Sequence, residues 1–166
     1  MAESLLITTA DIVKFTSMNG GVDVDKFVQY AKIAQDVHIQ NYLGTKLFRK
    51  IQDDIEADTL IDPYLALVTD FVKPMLIHWT MVEYLPYAPY TIANGGVFLH
   101  SSENSEGITR GALSDLLEAQ RNTAQGYTQR FLDFICANQS DFPEYSTNTS
   151  GDMFPDRNTN FTGWEL

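Results

Sequence analysis

The stretch from Asp62 to Tyr84, DPYLALVTDFVKPMLIHWTMVEY, limits the possible folds more than any other part of the chain. An Asp-Pro pair reads as a helix start, with the aspartate as cap and the proline at the first helical position, where its missing N–H does no harm. Leu65, Val68, Phe71, Val72, Met75, Leu76, Trp79 and Val82 then fall around a wide arc of that helix. A helix apolar over such an arc has to be covered from several sides, which predicts the central helix of a bundle. Pro74 lies inside it, removes one hydrogen bond and predicts a bend. Pro86 and Pro89 end it. Its apolar residues are interrupted by Asp70, Lys73 and His78, and no run reaches the ~18 uninterrupted apolar residues of a membrane span.

The remaining segments supply that cover. In TTADIVKFT, at 8–16, Thr8 or Thr9 can cap a short amphipathic helix. Ser17 to Val22, with two adjacent glycines, reads as a connector. A long helix is expected from Asp23 or Asp25, with Val24, Phe27, Val28, Ala31, Ala34 and Val37 or His38 at the spacing of one face. Gly44 stands where a left-handed C-cap belongs, and Thr45 can cap the next helix, in which Leu47, Phe48, Ile51 and Ile55 recur. Strand-forming residues flank Asn94-Gly95-Gly96, which predicts a hairpin over about 90–100. A last long helix covers 109–138, with Leu113, Leu116, Leu117, Gln120, Ala124, Tyr127, Phe131, Phe134 and Ile135 on one side.

From Gln139 the composition turns to Asn, Ser, Thr, Asp, Gly and Pro. The expected organisation is a helical domain at 1–138 and an extended tail at 139–166. The fold class is mainly α, a bundle of about four to five helices with one inserted β-hairpin. Phe154, Phe161, Trp164 and Leu166 are spaced along a tail too polar to form a core, which suits a segment that orders on a partner. The strands around the hairpin turn, with Ile92, Asn94, Gly95, Gly96, Val97 and Phe98, offer open edges to another chain.

Charge narrows the function. The chain holds 22 acidic and 11 basic residues, a formal net charge of −11. Retention of nucleic acid rests on Lys and Arg displacing phosphate counterions, and attraction to an anionic membrane rests on the same cations. The balance here opposes both. The opening residues lack a basic stretch followed by an apolar one, so no signal peptide is expected. The lone Cys136 leaves no internal disulfide to form and suits a reducing cytoplasm.

Catalytic and metal signatures are missing. His38, His78 and His100 lie in separate elements with no zinc spacing, and His38 and His78 fall near apolar faces as core or boundary residues. Cys136 reads as a small core residue. No phosphate-binding glycine loop and no nucleophile elbow occurs. Asp53, Asp54, Glu56, Asp58 and Asp62 lack the spacing of a calcium loop and read as a solvated helix end. No cofactor, metal site or catalytic residue is expected.

The opening LLITTADIVKF with VDVDKFVQYAKIAQDVHIQNYLGTKLFRKI, the segment PYLALVTDFVKPMLIHWTMVEYLPY, the hairpin stretch TIANGGVFLHSSENSE and the last long helix follow one another in a familiar order. Over roughly 5–138 they resemble the head–tail connector (adaptor) proteins of tailed bacteriophages, those similar to the all-helical connector of HK97-type phages, in the version from phages of Bacteroidetes hosts. The resemblance implies a structural virion protein without catalysis. Its subunits would form a ring of about twelve copies beneath the portal protein, above the tail or the next neck ring. DNA would pass through the ring without specific binding, and an acidic lumen fits that passage. Another neck or tail-completion protein, and a cytoplasmic helical binding module, are the other readings that these residues leave open.

Overall fold

The computed structural model describes residues 4–16, 24–94, 96–99 and 108–158. The protein is mainly α, with five helices and one short strand pair among the described residues. Helix α1 is Thr9–Phe15. It opens on a capping box in which Thr8 accepts from the Asp11 amide and Asp11 accepts from the Thr8 amide. Of the two threonines, Thr8 is the cap.

Helix α2 begins as Val24–Ala34, widens into a π turn at Gln35–Ile39 and finishes as Gln40–Leu43. Phe27, Ala31 and Ala34 are buried as the apolar spacing predicts, but Val28 and Val37 stand 41% and 57% exposed. The π turn takes one extra residue and so rotates the buried face. After it His38, not Val37, points inward. Gln35, fully buried at the turn, accepts from the Leu6 amide at 2.9 Å and donates to the Ser4 carbonyl at 3.1 Å. It thereby ties the amino-terminal segment to the bundle.

Gly44 (φ +75°, ψ 158°) breaks the chain direction before α3, Thr45–Glu56. Leu47, Phe48 and Ile51 are buried along α3. Helix α4 runs through Tyr64–Leu67, a second π turn at Val68–Val72, and Lys73–Tyr84. Pro63 holds the cap position without a side-chain cap bond, so the helix starts one residue later than the Asp62-Pro63 pair predicts. The bend expected at Pro74 takes a definite form. In the π turn the Lys73 amide reaches back to the Val68 carbonyl, which opens the backbone just where the proline ring would press on the preceding turn. Val68, Val72, Met75, Leu76, Ile77, Trp79, Met81 and Val82 are buried, and α4 is the central helix.

Strands β1 (Tyr90–Ala93) and β2 (Gly96–Leu99) form the predicted hairpin, with Ile92 opposite Val97 and Ala93 opposite Gly96. Helix α5, Arg110–Ala137, is capped by Thr109, whose hydroxyl accepts from the Ala112 amide. It packs on α4 through its second half, where Ala124, Thr128, Phe131, Leu132 and Ile135 are buried.

The boundary expected at 138 falls inside the core. Two 3-10 turns, Gln139–Asp141 and Pro143–Tyr145, bring Phe142 (0% exposed) and Tyr145 (1%) into the same cluster as Leu47, Leu67, Phe131 and Ile135. Phe142 meets the edge of Tyr64 with centroids 5.4 Å apart, and the Tyr64 hydroxyl donates to Glu144 at 2.6 Å. A polar average over the segment conceals two aromatics that the turns aim inward.

Candidate partner-binding surface

The hairpin leaves the end of α4 through a stack of rings. Tyr84 packs on Phe27 at 4.6 Å and on Tyr30 at 5.4 Å, and Tyr30 stacks on Tyr87 at 5.6 Å. This fixes the base of the hairpin to α2. Beyond it the strands pack chiefly on each other, and Asn94, Gly96 and Val97 are exposed, Val97 by 64%. Gly96 (φ +135°) takes a backbone conformation that side chains disfavour, which is what its place in the tight turn requires. Among the described residues no third strand pairs with either of them.

Beside the hairpin base runs a mostly apolar cleft lined by Pro86, Pro89, Tyr90, Ile108, Leu113 and Leu117, with Arg110 and Ser114 among them. It exists because α5 outruns its support. No residue of its first half, from Arg110 to Thr123, is fully buried, and Leu116 is 43% exposed. Ile108 and Tyr90 are 48% and 45% exposed. The leucines of that half read as core from spacing alone, so the cleft was not legible in the sequence.

At the other end of α5 the chain returns as a strap over the Gly44 turn. Lys46 donates to the carbonyl and hydroxyl of Thr147 at 3.1 and 3.0 Å. The Thr45 amide donates to the Met153 carbonyl at 3.0 Å, and the Met153 amide donates to the Thr45 hydroxyl at 2.9 Å. Thr45 thus fastens the strap rather than capping its own helix. The Asp156 amide reaches the Asn41 carbonyl at 2.8 Å, and Pro155 lies so close that a Cβ on Gly44 would sit 2.9 Å from its Cδ. From Met153 to Asp156 the strap uses its backbone and Pro155 in these links, which leaves the side chains of Met153 (45% exposed) and Phe154 (63%) facing solvent. Asp152, before them, accepts from the amide and hydroxyl of Thr149, which hold its carboxyl below the usual carboxylate range.

The titratable groups found elsewhere serve packing. His38 stacks on Trp79 and lies 2.7 Å from Glu83. His78 stacks on Tyr127, its Nδ1 accepts from Gln120 at 2.7 Å, and burial pulls its pKa below the ordinary histidine value. Cys136 is exposed, against the reading of it as a core residue, because Leu132 and Ile135 take the inward positions of that turn. Asp54 pairs with Lys50, while Asp53, Glu56, Asp58 and Asp62 face solvent. Among the described residues no three His, Cys, Asp or Glu converge as metal ligands.

Of the residues expected to meet a partner, Asn94, Gly96 and Val97 are exposed on the hairpin, and Phe154 is exposed on the strap. Ile92 and Phe98 have their places in the strand register, and their side chains lie outside what is described. Gly95, Phe161, Trp164 and Leu166, like His100, fall outside the described residues.

Residues 39–155, more than half of the chain, match the model of DUF6712, a family of unknown function, and the chain belongs to that family. None of the curated proteins and none of the solved structures matches it.

Proposed function

We propose that this protein is a structural virion subunit, a head-to-tail connector that forms a ring beneath the portal of a tailed bacteriophage. The observation that carries the reading is the hairpin of β1 and β2, whose base adjoins the Tyr30–Tyr87 stack and whose residues Asn94, Gly96 and Val97 are exposed. A two-stranded hairpin alone is marginal in water, so a chain that projects one needs another surface to complete it. The net charge of −11 supports the same reading. A conduit for DNA works only if the duplex does not stick, and a lumen poor in Lys and Arg gives phosphates little to hold. The order of elements supports it as well, since the resemblance to phage connectors covers the segments that build the bundle.

The test is made in particles. Replacing 90–100 with a short Gly/Ser link should leave the helical circular dichroism unchanged and stop tails from joining portal-bearing heads. Wild-type particles should contain the chain in a ring at the portal, and the isolated ring should not retain duplex DNA at physiological salt. Normal yields of infectious particles from the hairpin replacement, or absence of the chain from virions, would sink the reading. Absence from virions would favour a cytoplasmic helical binding module.

A further inference from the structure

We propose that the first half of α5 is a hinged arm that swings about Gly126, held closed against α4 by the hydrogen bond between Gln120 and His78. The swing sets the width of the cleft beside the hairpin base. This goes beyond the connector reading and does not rest on it.

Burial divides α5 into two unequal halves. From Arg110 to Thr123 no residue is fully buried, and Leu113, Leu117 and Gln120 are half-buried as one narrow stripe. Beyond that point Ala124, Thr128, Phe131, Leu132 and Ile135 lie in the core. A helix in a protein draws most of its stability from the packing of its apolar face. Segments with few buried apolar contacts therefore open at the lowest free energy.

Gly126 stands at the junction, and packing gives no reason for it. A Cβ there would meet no heavy atom within 4 Å, and its backbone is helical, so neither space nor a left-handed conformation asks for glycine. What glycine does in a helix interior is make it easier to leave the helix. The flanking threonines act in the same direction. Thr123 returns its hydroxyl to the Ala119 carbonyl at 3.1 Å, and Thr128 returns its own to the Ala124 carbonyl at 2.8 Å. Such bonds bend helices, and kinks gather at glycine and hydroxyl residues.

His78 spans the junction. Its ring stacks on Tyr127, on the anchored side, with centroids 4.9 Å apart and 8° between the planes. Its Nδ1 accepts from Gln120, on the arm side, at 2.7 Å. The anchored side is fixed again one residue later, where Thr128 takes the Trp79 N–H. Among the described residues, Gln120 to His78 is the hydrogen bond that joins the arm to another element, so one bond and two half-buried leucines keep it shut. The cleft has a wall on each body. Pro86, Pro89 and Tyr90 follow α4, while Ile108, Leu113 and Leu117 move with the arm. Ala112 lies about 21 Å along the helix from Gly126, and a bend of about 30° carries it about 10 Å.

The experiment is double electron–electron resonance between spin labels at Gln29→Cys on α2 and Ala112→Cys on the arm. Both positions are exposed, and the full chain carries Cys136→Ser to remove the native thiol. This parent should show a main distance and a minor one displaced by about 10 Å. Gln120→Ala should enlarge the minor population, and so should His78→Phe, which removes the same bond from the other side. Adding Gly126→Ala to either should cut that population about fourfold, the difference between glycine and alanine in a helix interior. Circular dichroism checks that each variant folds. One narrow distance in the parent and in both latch variants overturns the proposal. A displaced population that Gly126→Ala leaves unchanged overturns it too, since that would mark fraying of the helix end and not a hinge.

Discussion

The imidazole of His38 lies on the indole of Trp79, with ring centroids 3.9 Å apart and 12° between their planes. The same indole donates its Nε1–H to the Thr128 hydroxyl at 3.0 Å. One side chain of α4 thus touches the π turn of α2 on one side and α5 on the other, and it is 3% exposed. Trp79→Ala should therefore cost about 3–5 kcal/mol. Trp79→Phe retains a ring but abandons the hydrogen bond, and should cost less. Urea titration followed by circular dichroism measures both; a loss under 1 kcal/mol for the alanine variant would remove Trp79 from the junction.

The carboxy-terminal turns are part of the core, and truncation should show it. A chain ending after Ala137 lacks Phe142 and Tyr145, and losing a buried aromatic costs about 3–5 kcal/mol each time. Together that is comparable with the whole stability of a typical domain, ~5–15 kcal/mol. This chain is expected to be unfolded or aggregated, whereas one ending after Asn158 keeps both rings and should melt well above it. Equal melting temperatures for the two truncations would contradict the burial.

Gly44 is tested by a single methyl group. Its φ of +75° is costly for any other residue, and a Cβ there would stand 2.9 Å from the Pro155 Cδ and 3.2 Å from the Met153 carbonyl oxygen. Gly44→Ala should destabilise by about 1–3 kcal/mol. It should also loosen the strap, seen as faster hydrogen exchange at the Thr45, Met153 and Asp156 amides. Unchanged exchange at all three would mean that the strap does not depend on the close approach.

Acidification should weaken the fold through His78. Burial lowers its pKa, and Gln120 donates to its Nδ1, so the folded state holds the neutral ring. Below the ordinary histidine pKa of about 6.5 the unfolded chain binds a proton that the folded chain resists. The stabilisation is thus complete above that pH and is lost as pH falls through the lowered folded value. His78→Phe should flatten this part of the stability profile. A profile with the same slope below pH 6.5 in both proteins would assign the effect elsewhere.

The sequence was most informative where one physical signal dominated. The wide apolar arc of α4, a cap at Thr8 or Thr9, the hairpin around Asn94 and Gly96 and the start of α5 near Thr109 are local patterns, and the structure has these elements where the patterns predict, with Thr8 as the cap. It was least informative where tertiary packing overrides period. A π turn shifts phase with no composition of its own, so Val37 and His38 could not be told apart. Phe142 and Tyr145 sit in a polar stretch whose average suggests a tail. Leu113 and Leu117 have core spacing, yet both stay only partly buried, Leu117 at the edge of the core. The strap depends on Gly44 and Pro155, which are far apart in sequence and carry no mutual signature.

The closure of the bundle by Phe142 and Tyr145 has a consequence for biosynthesis. A ribosome releases α1 through α4 long before it releases the residues that finish their packing. Until residue 145 has cleared the exit tunnel, Tyr64 lacks the Phe142 ring and Glu144, and α3 lacks the turn that covers it. The hairpin and the apolar half of α5 emerge during that interval, when the chain is least able to shield its surfaces. Completion of the fold therefore comes late in translation, which favours assembly among finished subunits over association of nascent ones.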